Sequence, residues 1–195
     1  MISTLSKKHS FDAVFDSQRV FRLILEAVSN PARTVGIGEY AAKLSGVRPA
    51  MLAVAMTLLD NEVSFNTCGN DALSGEIASL TLAKKGEIET ADFVFVSHLD
   101  DIKDAIENMK CGTLSDPHRS ATAIIRNEGV PSVPMKVSGP GIEGRVTVHV
   151  TRTAVYAAAL RDGQNYEYPC GIDMFFLSDN GELLAIPRLT RMEAE

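Results

Sequence analysis

The residues able to do chemistry in this chain are a few arginines, histidines, aspartates and a cysteine, several of them beside a glycine- or proline-marked turn. Arg22 follows Phe21 on an apolar stretch that breaks at Ser29-Asn30-Pro31. A guanidinium there can grip a phosphate or carboxylate through two parallel hydrogen bonds, or snorkel at a helix edge and pair with an acidic neighbour. Ser97-His98-Leu99-Asp100-Asp101 follows the apolar run Phe93 to Val96, at the end of a strand where open α/β sheets hold ligands. It reads as an acid/base site or as an aspartate pair capping a helix. His98 has no second histidine at ligand spacing, so no zinc pattern and no metal site are expected.

Asp116-Pro117-His118-Arg119-Ser120 gathers a histidine and an arginine in one loop. It reads as an anion grip through His118 and Arg119, or as a turn in which Pro117 fixes the backbone and Asp116 bonds to it. Cys111 stands shortly before His118 and would need that histidine beside it in space to act as a nucleophile. Gly139-Pro140-Gly141 follows a strand, but Ile142-Glu143 stand where a phosphate-binding loop needs lysine and a hydroxyl, so a tight strand-to-strand turn is the alternative. Asp173 and Arg188 lie in opposite arms of a hairpin, where they form an ion pair or leave one partner to a ligand. No nucleophile elbow, paired carboxylate spacing or zinc-protease helix is present, so the residues alone define no catalytic centre.

The elements that must position these groups alternate in type. Helical spacing runs from Asp16, a candidate N-cap, to Val28, and Pro49 to Leu59 is apolar all round, which places it in the core or at a dimer seam. Thr34 to Ile37, Val63 to Phe65 and Phe93 to Val96 read as strands. A helix from Asp71 is expected to close at Lys84-Lys85-Gly86, and another to open at Asp100-Asp101. Beyond Gly112 come strands at Ala121 to Ile125, Val133 to Val137 and Val146 to Val150, antiparallel or mixed. A helix from Thr153 to Leu160 follows, then a hairpin from Ile172 to Ile186 turning at Asn180-Gly181. The pattern specifies an α/β domain over residues 1–195 with a mixed sheet, helices on both faces, and about the first ten residues flexible.

Composition narrows the class. The 195 residues are 45% hydrophobic and 23% charged, ordinary values for a folded globule. A net charge of −6 with scattered cations argues against nucleic acid as a partner. No apolar run approaches the ~20 residues of a membrane span. Lys7, Lys8 and His9 occupy the place of a signal peptide's apolar stretch, so a cytoplasmic location is expected. Three cysteines far apart suit thiols in a reducing compartment.

An ordered series of short motifs adds to this: Phe21-Arg22 with Ser29-x-Pro31, Leu58-Leu59-Asp60, Cys111-Gly112-Thr113 with Pro117 and Ser120-Ala121-Thr122, Gly139-Pro140-Gly141-Ile142, Pro169-x-Gly171-Ile172-Asp173 and Ala185-Ile186-Pro187-Arg188. Over nearly the whole chain the series resembles the H subunit family of bacterial carbon-phosphorus lyase (PhnH). Ala32 stands where the family commonly has glycine, and Leu189 interrupts a threonine pair. The resemblance implies a three-layer α/β/α sandwich like that of pyridoxal-phosphate-dependent transferases but without the cofactor. It also implies a homodimer, partnership with the G, I and J subunits and functionally with the L protein, and a supporting role in converting ATP and an alkylphosphonate to a ribose 1-phosphonate 5-triphosphate plus adenine. Arg22, His118, Arg119 and Arg188 are then candidate anion or partner contacts, and Gly139, Pro140, Gly141 and Asp173 candidate structural positions. The alternatives are direct contribution of binding residues to that shared site, or a free-standing small-anion-binding protein.

Overall fold

Apolar strands with both faces covered organise the molecule, and the computed structural model describes residues 9–194. The expected flexible start of the chain lies almost wholly outside the described residues. In chain order the first elements are α1 (Phe15–Ser29), β1 (Thr34–Gly36), α2 (Gly38–Ala41), α3 (Pro49–Leu58), β2 (Ser64–Asn66), α4 (Asp71–Thr81), β3 (Lys84–Lys85) and β4 (Phe93–Val96). Then come α5 (Ile102–Asn108), β5 (Thr122–Arg126), β6 (Val133–Ser138), β7 (Val146–Val150), α6 (Arg152–Gly163), β8 (Asp173–Leu177), β9 (Glu182–Ile186) and β10 (Arg191–Ala194). The main sheet has seven strands in the order β1-β9-β8-β5-β4-β2-β3. From β8 to β3 neighbouring strands are parallel, while β9 and β1 are added antiparallel.

Side-chain alternation along the strands divides the core into two clusters. Phe95, Ile124, Phe175 and Leu177 face α1 to α4. Val94, Val96, Ala123, Ile125, Met174 and Phe176 face α5 and α6. That second face also carries an antiparallel sheet, β10-β6-β7, whose Met135, Val137 and Val150 complete the cluster. The molecule is thus mixed α/β, with strands as well as helices in one outer layer. β5 belongs to the parallel set, whereas β6 and β7 form the separate sheet, so the strands expected together after Gly112 are divided between two sheets.

The apolar helix α3 has no solvent face because α1, α2 and α4 all pack against it. Ala50 to Ala55 are all buried, which settles its place as core. Pro49 sits in its first turn, as expected.

Local expectations fail where a side chain has a better use elsewhere. Asp16 does not cap α1: it is buried inside the helix, where its carboxylate accepts from Lys43 Nζ at 2.7 Å and from the Asp12 amide at 2.8 Å. Asp12 does the capping, its Oδ1 accepting from the Val14 and Phe15 amides at 2.8 Å each. Helix α4 ends at Thr81, before the lysines, because Leu82 turns left-handed and Lys84-Lys85 form an edge strand. Charged residues on an edge deter pairing with another chain. Asp100 and Asp101 make no side-chain cap and lie instead in a 3-10 turn, Leu99–Asp101, that leads into α5.

Candidate functional site

Most of the distinctive turn motifs converge at one place, the amino ends of β5 and β8. There Val28 at the end of α1 meets the loop carrying Pro117 and His118, the Pro140 turn, Pro169 before β8, and the Pro187 to Thr190 turn after β9. Together with Asp173 and Arg188 they surround an open cleft of about 410 Å³. Its walls are mainly apolar and rigid, since each proline fixes its own φ.

Arg188 ties the walls together. Its amide donates to Asp173 Oδ1 at 2.8 Å, Nε to Oδ1 at 3.3 Å and Nη2 to Oδ2 at 2.5 Å. Nη1 donates to the Pro117 carbonyl. The ion pair expected across the hairpin is formed, and every guanidinium nitrogen of Arg188 is engaged in holding three segments. Beneath it Arg161, only 1% exposed, donates from Nη1 to the carbonyls of Ile186 at 3.3 Å and Pro187 at 3.1 Å, and from Nη2 to that of Thr190 at 2.6 Å. Its Nε donates to Asp162 Oδ1 at 3.0 Å. Burial lowers the Arg161 pKa while Asp162 opposes the shift, and an arginine starting so high stays charged. The half-buried Tyr166 phenol is pushed up to about 12 by its loss of solvent and stays neutral.

Sequence reading missed Arg161 because it ended the helix at Leu160, three residues before α6 closes. The signal was present: Ala154, Ala157, Ala158 and Arg161 share one face at helical spacing, so a cation lies on a buried stripe.

The glycine turn has a structural reason. A Cβ on Gly141 would stand 2.6 Å from the Ser29 carbonyl oxygen and 3.0 Å from Pro31 Cδ, at φ +81°. Only glycine lets the β6–β7 turn close against the end of α1. Gly139, Pro140 and Gly141 thus form the strand-to-strand turn, and Pro140 lines the cleft.

Other candidates are dispersed. Arg22 is exposed on α1, and Arg119 is exposed beside His118. His118 Nε2 lies 4.0 Å from Asp116 Oδ1. Asp116 does not bond its own turn through its side chain; the Thr113 hydroxyl does so, accepting from the Asp116 amide at 3.0 Å. Cys111 and His118 form no nucleophile and base, since Cys111 Sγ lies 3.6 Å from the Gly112 carbonyl and His118 faces Asp116. His98 is exposed, while Ser97 is buried and accepts from the Asn70 amide nitrogen at 3.2 Å. Among the described residues no cluster of histidine, cysteine, aspartate or glutamate has the makings of a metal site, and no helix is long and apolar enough to cross a membrane.

The cleft therefore offers an apolar, proline-stiffened surface in which Asp173 and Arg188 are committed to each other, while the buried Thr190 hydroxyl has no partner. Such a surface suits docking better than bond-making, and open α/β sheets hold small ligands at the other, carboxyl edge. Comparison with known proteins agrees with the motif series. A curated protein of Rhizobium meliloti (strain 1021), alpha-D-ribose 1-methylphosphonate 5-triphosphate synthase subunit PhnH, is 27% identical over 191 residues, covering 94% of each chain. The model of the family described as bacterial phosphonate metabolism protein (PhnH) matches residues 9–193, and the chain belongs to that family.

Proposed function

We propose that this chain is the H-type subunit of the bacterial carbon-phosphorus lyase system, supporting synthesis of a ribose 1-phosphonate 5-triphosphate from ATP and an alkylphosphonate during phosphonate breakdown. The family match across residues 9–193 carries this reading. The cleft supports an organising role: its Arg188 is spent on Asp173 and the Pro117 carbonyl, and its walls are mainly apolar. The neighbours are the G, I and J subunits, with the L protein acting in the same step. The chain works in the cytoplasm as a homodimer, in a fold related to that of the pyridoxal-phosphate transferases. It does so without that cofactor.

Co-expression with the G, I and J subunits tests the reading. The chain should co-elute with them, and Leu189→Glu in the cleft wall should abolish co-elution while the isolated variant melts as the parent does. Failure to co-elute, or turnover of ATP and alkylphosphonate by the isolated chain, overturns it. Sedimentation of the isolated chain should give a dimer.

A further inference from the structure

The carboxyl edge of the sheet, opposite the proline cleft, holds a second cavity of about 220 Å³ where β5 ends at Arg126 and β8 at Leu177. Arg48, Ala50, Met51, Arg126 and Asp179 form part of its wall. Arg48 is anomalous. Its side chain is only 23% exposed, its Nε is fully buried with no partner, and its closest carboxylate contact is Nη1 to Asp179 Oδ1 at 3.8 Å, beyond hydrogen-bond length. Asp179 is committed elsewhere: Oδ1 accepts from Arg126 Nε at 3.0 Å and Oδ2 from Nη2 at 2.5 Å, while Arg126 Nη1 pairs with Glu128. None of the Arg48 nitrogens has a hydrogen-bonded acceptor, and Nη1 and Nη2, which are not fully buried, can take one that enters the cavity from solvent.

The surroundings define that acceptor. Arg48 is the N-cap of α3 and supplies no side-chain acceptor, so the first-turn amides of Ala50 and Met51 lack a partner in the helix ladder. Donors thus come from Arg48 and from backbone, while the Asp179 carboxylate on the same wall accepts only. Hydrogen phosphate satisfies both, presenting bare oxygens to the donors and its own hydroxyl to Asp179. Sulfate at neutral pH carries no such proton, and neither does a carboxylate. We propose that this cavity binds a protonated tetrahedral oxyanion of the phosphate type, with Arg48 as its principal ligand and Asp179 selecting for the proton. The proposal rests on the cavity and not on the subunit reading, so either can fail alone.

Thermal unfolding of the purified chain, titrated with inorganic phosphate and separately with sulfate at constant ionic strength, tests it. Phosphate should raise Tm saturably and sulfate should not. Arg48→Met should lose the phosphate response, whereas Arg152→Met, at an exposed arginine, should keep it. Should Arg48→Met fold poorly, amide shifts of Ala50 and Met51 in the parent chain on adding phosphate give an independent readout. Absence of a saturable phosphate response, an equal response to sulfate, an unchanged response in Arg48→Met, or unmoved Ala50 and Met51 amides overturns the proposal.

Discussion

Arg161 reaches the carbonyl oxygen of Thr190 across 2.6 Å from within α6, so a buried cation fixes the turn that presents Arg188 to the cleft. The same guanidinium holds the carbonyls of Ile186 and Pro187, which makes it the support of the whole Pro187 to Thr190 segment.

Arg161→Met should therefore cost about 3–5 kcal/mol, because it strands those carbonyls and leaves Asp162 with only the more exposed Arg191. Arg161→Lys should rescue little, since one ammonium cannot span the fork. Urea denaturation of the three proteins checks this. A loss under 1 kcal/mol for the methionine variant would mean that the turn holds without its support.

Gly141→Ala and Gly144→Ala both place a side chain at positive φ, but only at Gly141 does the added carbon collide with backbone. Gly144→Ala should cost about 1 kcal/mol, the conformational penalty alone. Gly141→Ala should cost a further 1–3 kcal/mol as the turn is forced off α1. Equal losses in chemical denaturation would contradict the close approach.

Ala32 adopts φ +80° in the turn after α1. The left-handed conformation costs a non-glycine residue about 1–2 kcal/mol, and glycine returns part of that through its freer unfolded chain. Ala32→Gly should stabilise by roughly 0.5–1 kcal/mol, read as a rise in denaturation midpoint with unchanged slope. A lower midpoint would refute the strain.

Asp92 joins the start of β4 to its surroundings, with Oδ1 accepting from Lys110 Nζ at 2.5 Å and Oδ2 from the Ser64 amide at 2.8 Å and hydroxyl at 2.7 Å. Burial alone would raise its pKa, but these hydrogen bonds outweigh it and hold the carboxyl below 3.8. A depressed folded-state pKa gives stability that is present above the ordinary carboxylate value and is lost as pH falls through the folded one. Asp92→Asn should therefore be less stable than the parent at neutral pH, with the gap closing as pH drops below about 4. Tm measured against pH would show the curves converging; parallel curves would count against the linkage.

What the sequence disclosed followed from local physics. Phe93 to Val96 was legible as a central strand because four consecutive apolar residues need cover on both faces, and it lies in the middle of the sheet. The Asn180-Gly181 hairpin and the Asp173–Arg188 pair were equally readable, since the turn sets the register that brings those residues together. The division into two sheets was not, because β6 and β10 are about fifty residues apart and nothing local to either names the other. Asp16 misled because an aspartate near a helix start looks like a cap until tertiary structure offers it a lysine, and Asp116 because the Thr113 hydroxyl takes the turn bond that its own side chain was expected to make. Arg48 carries no local signal in the sequence, and only the folded chain shows that its Nε is buried without a partner.

The proline cleft draws its walls from Val28 and Thr190, which lie far apart along the chain. During synthesis that surface cannot form until Thr190 has cleared the ribosome. A polypeptide cut short before Thr190 therefore lacks part of that wall, whatever else of it has folded.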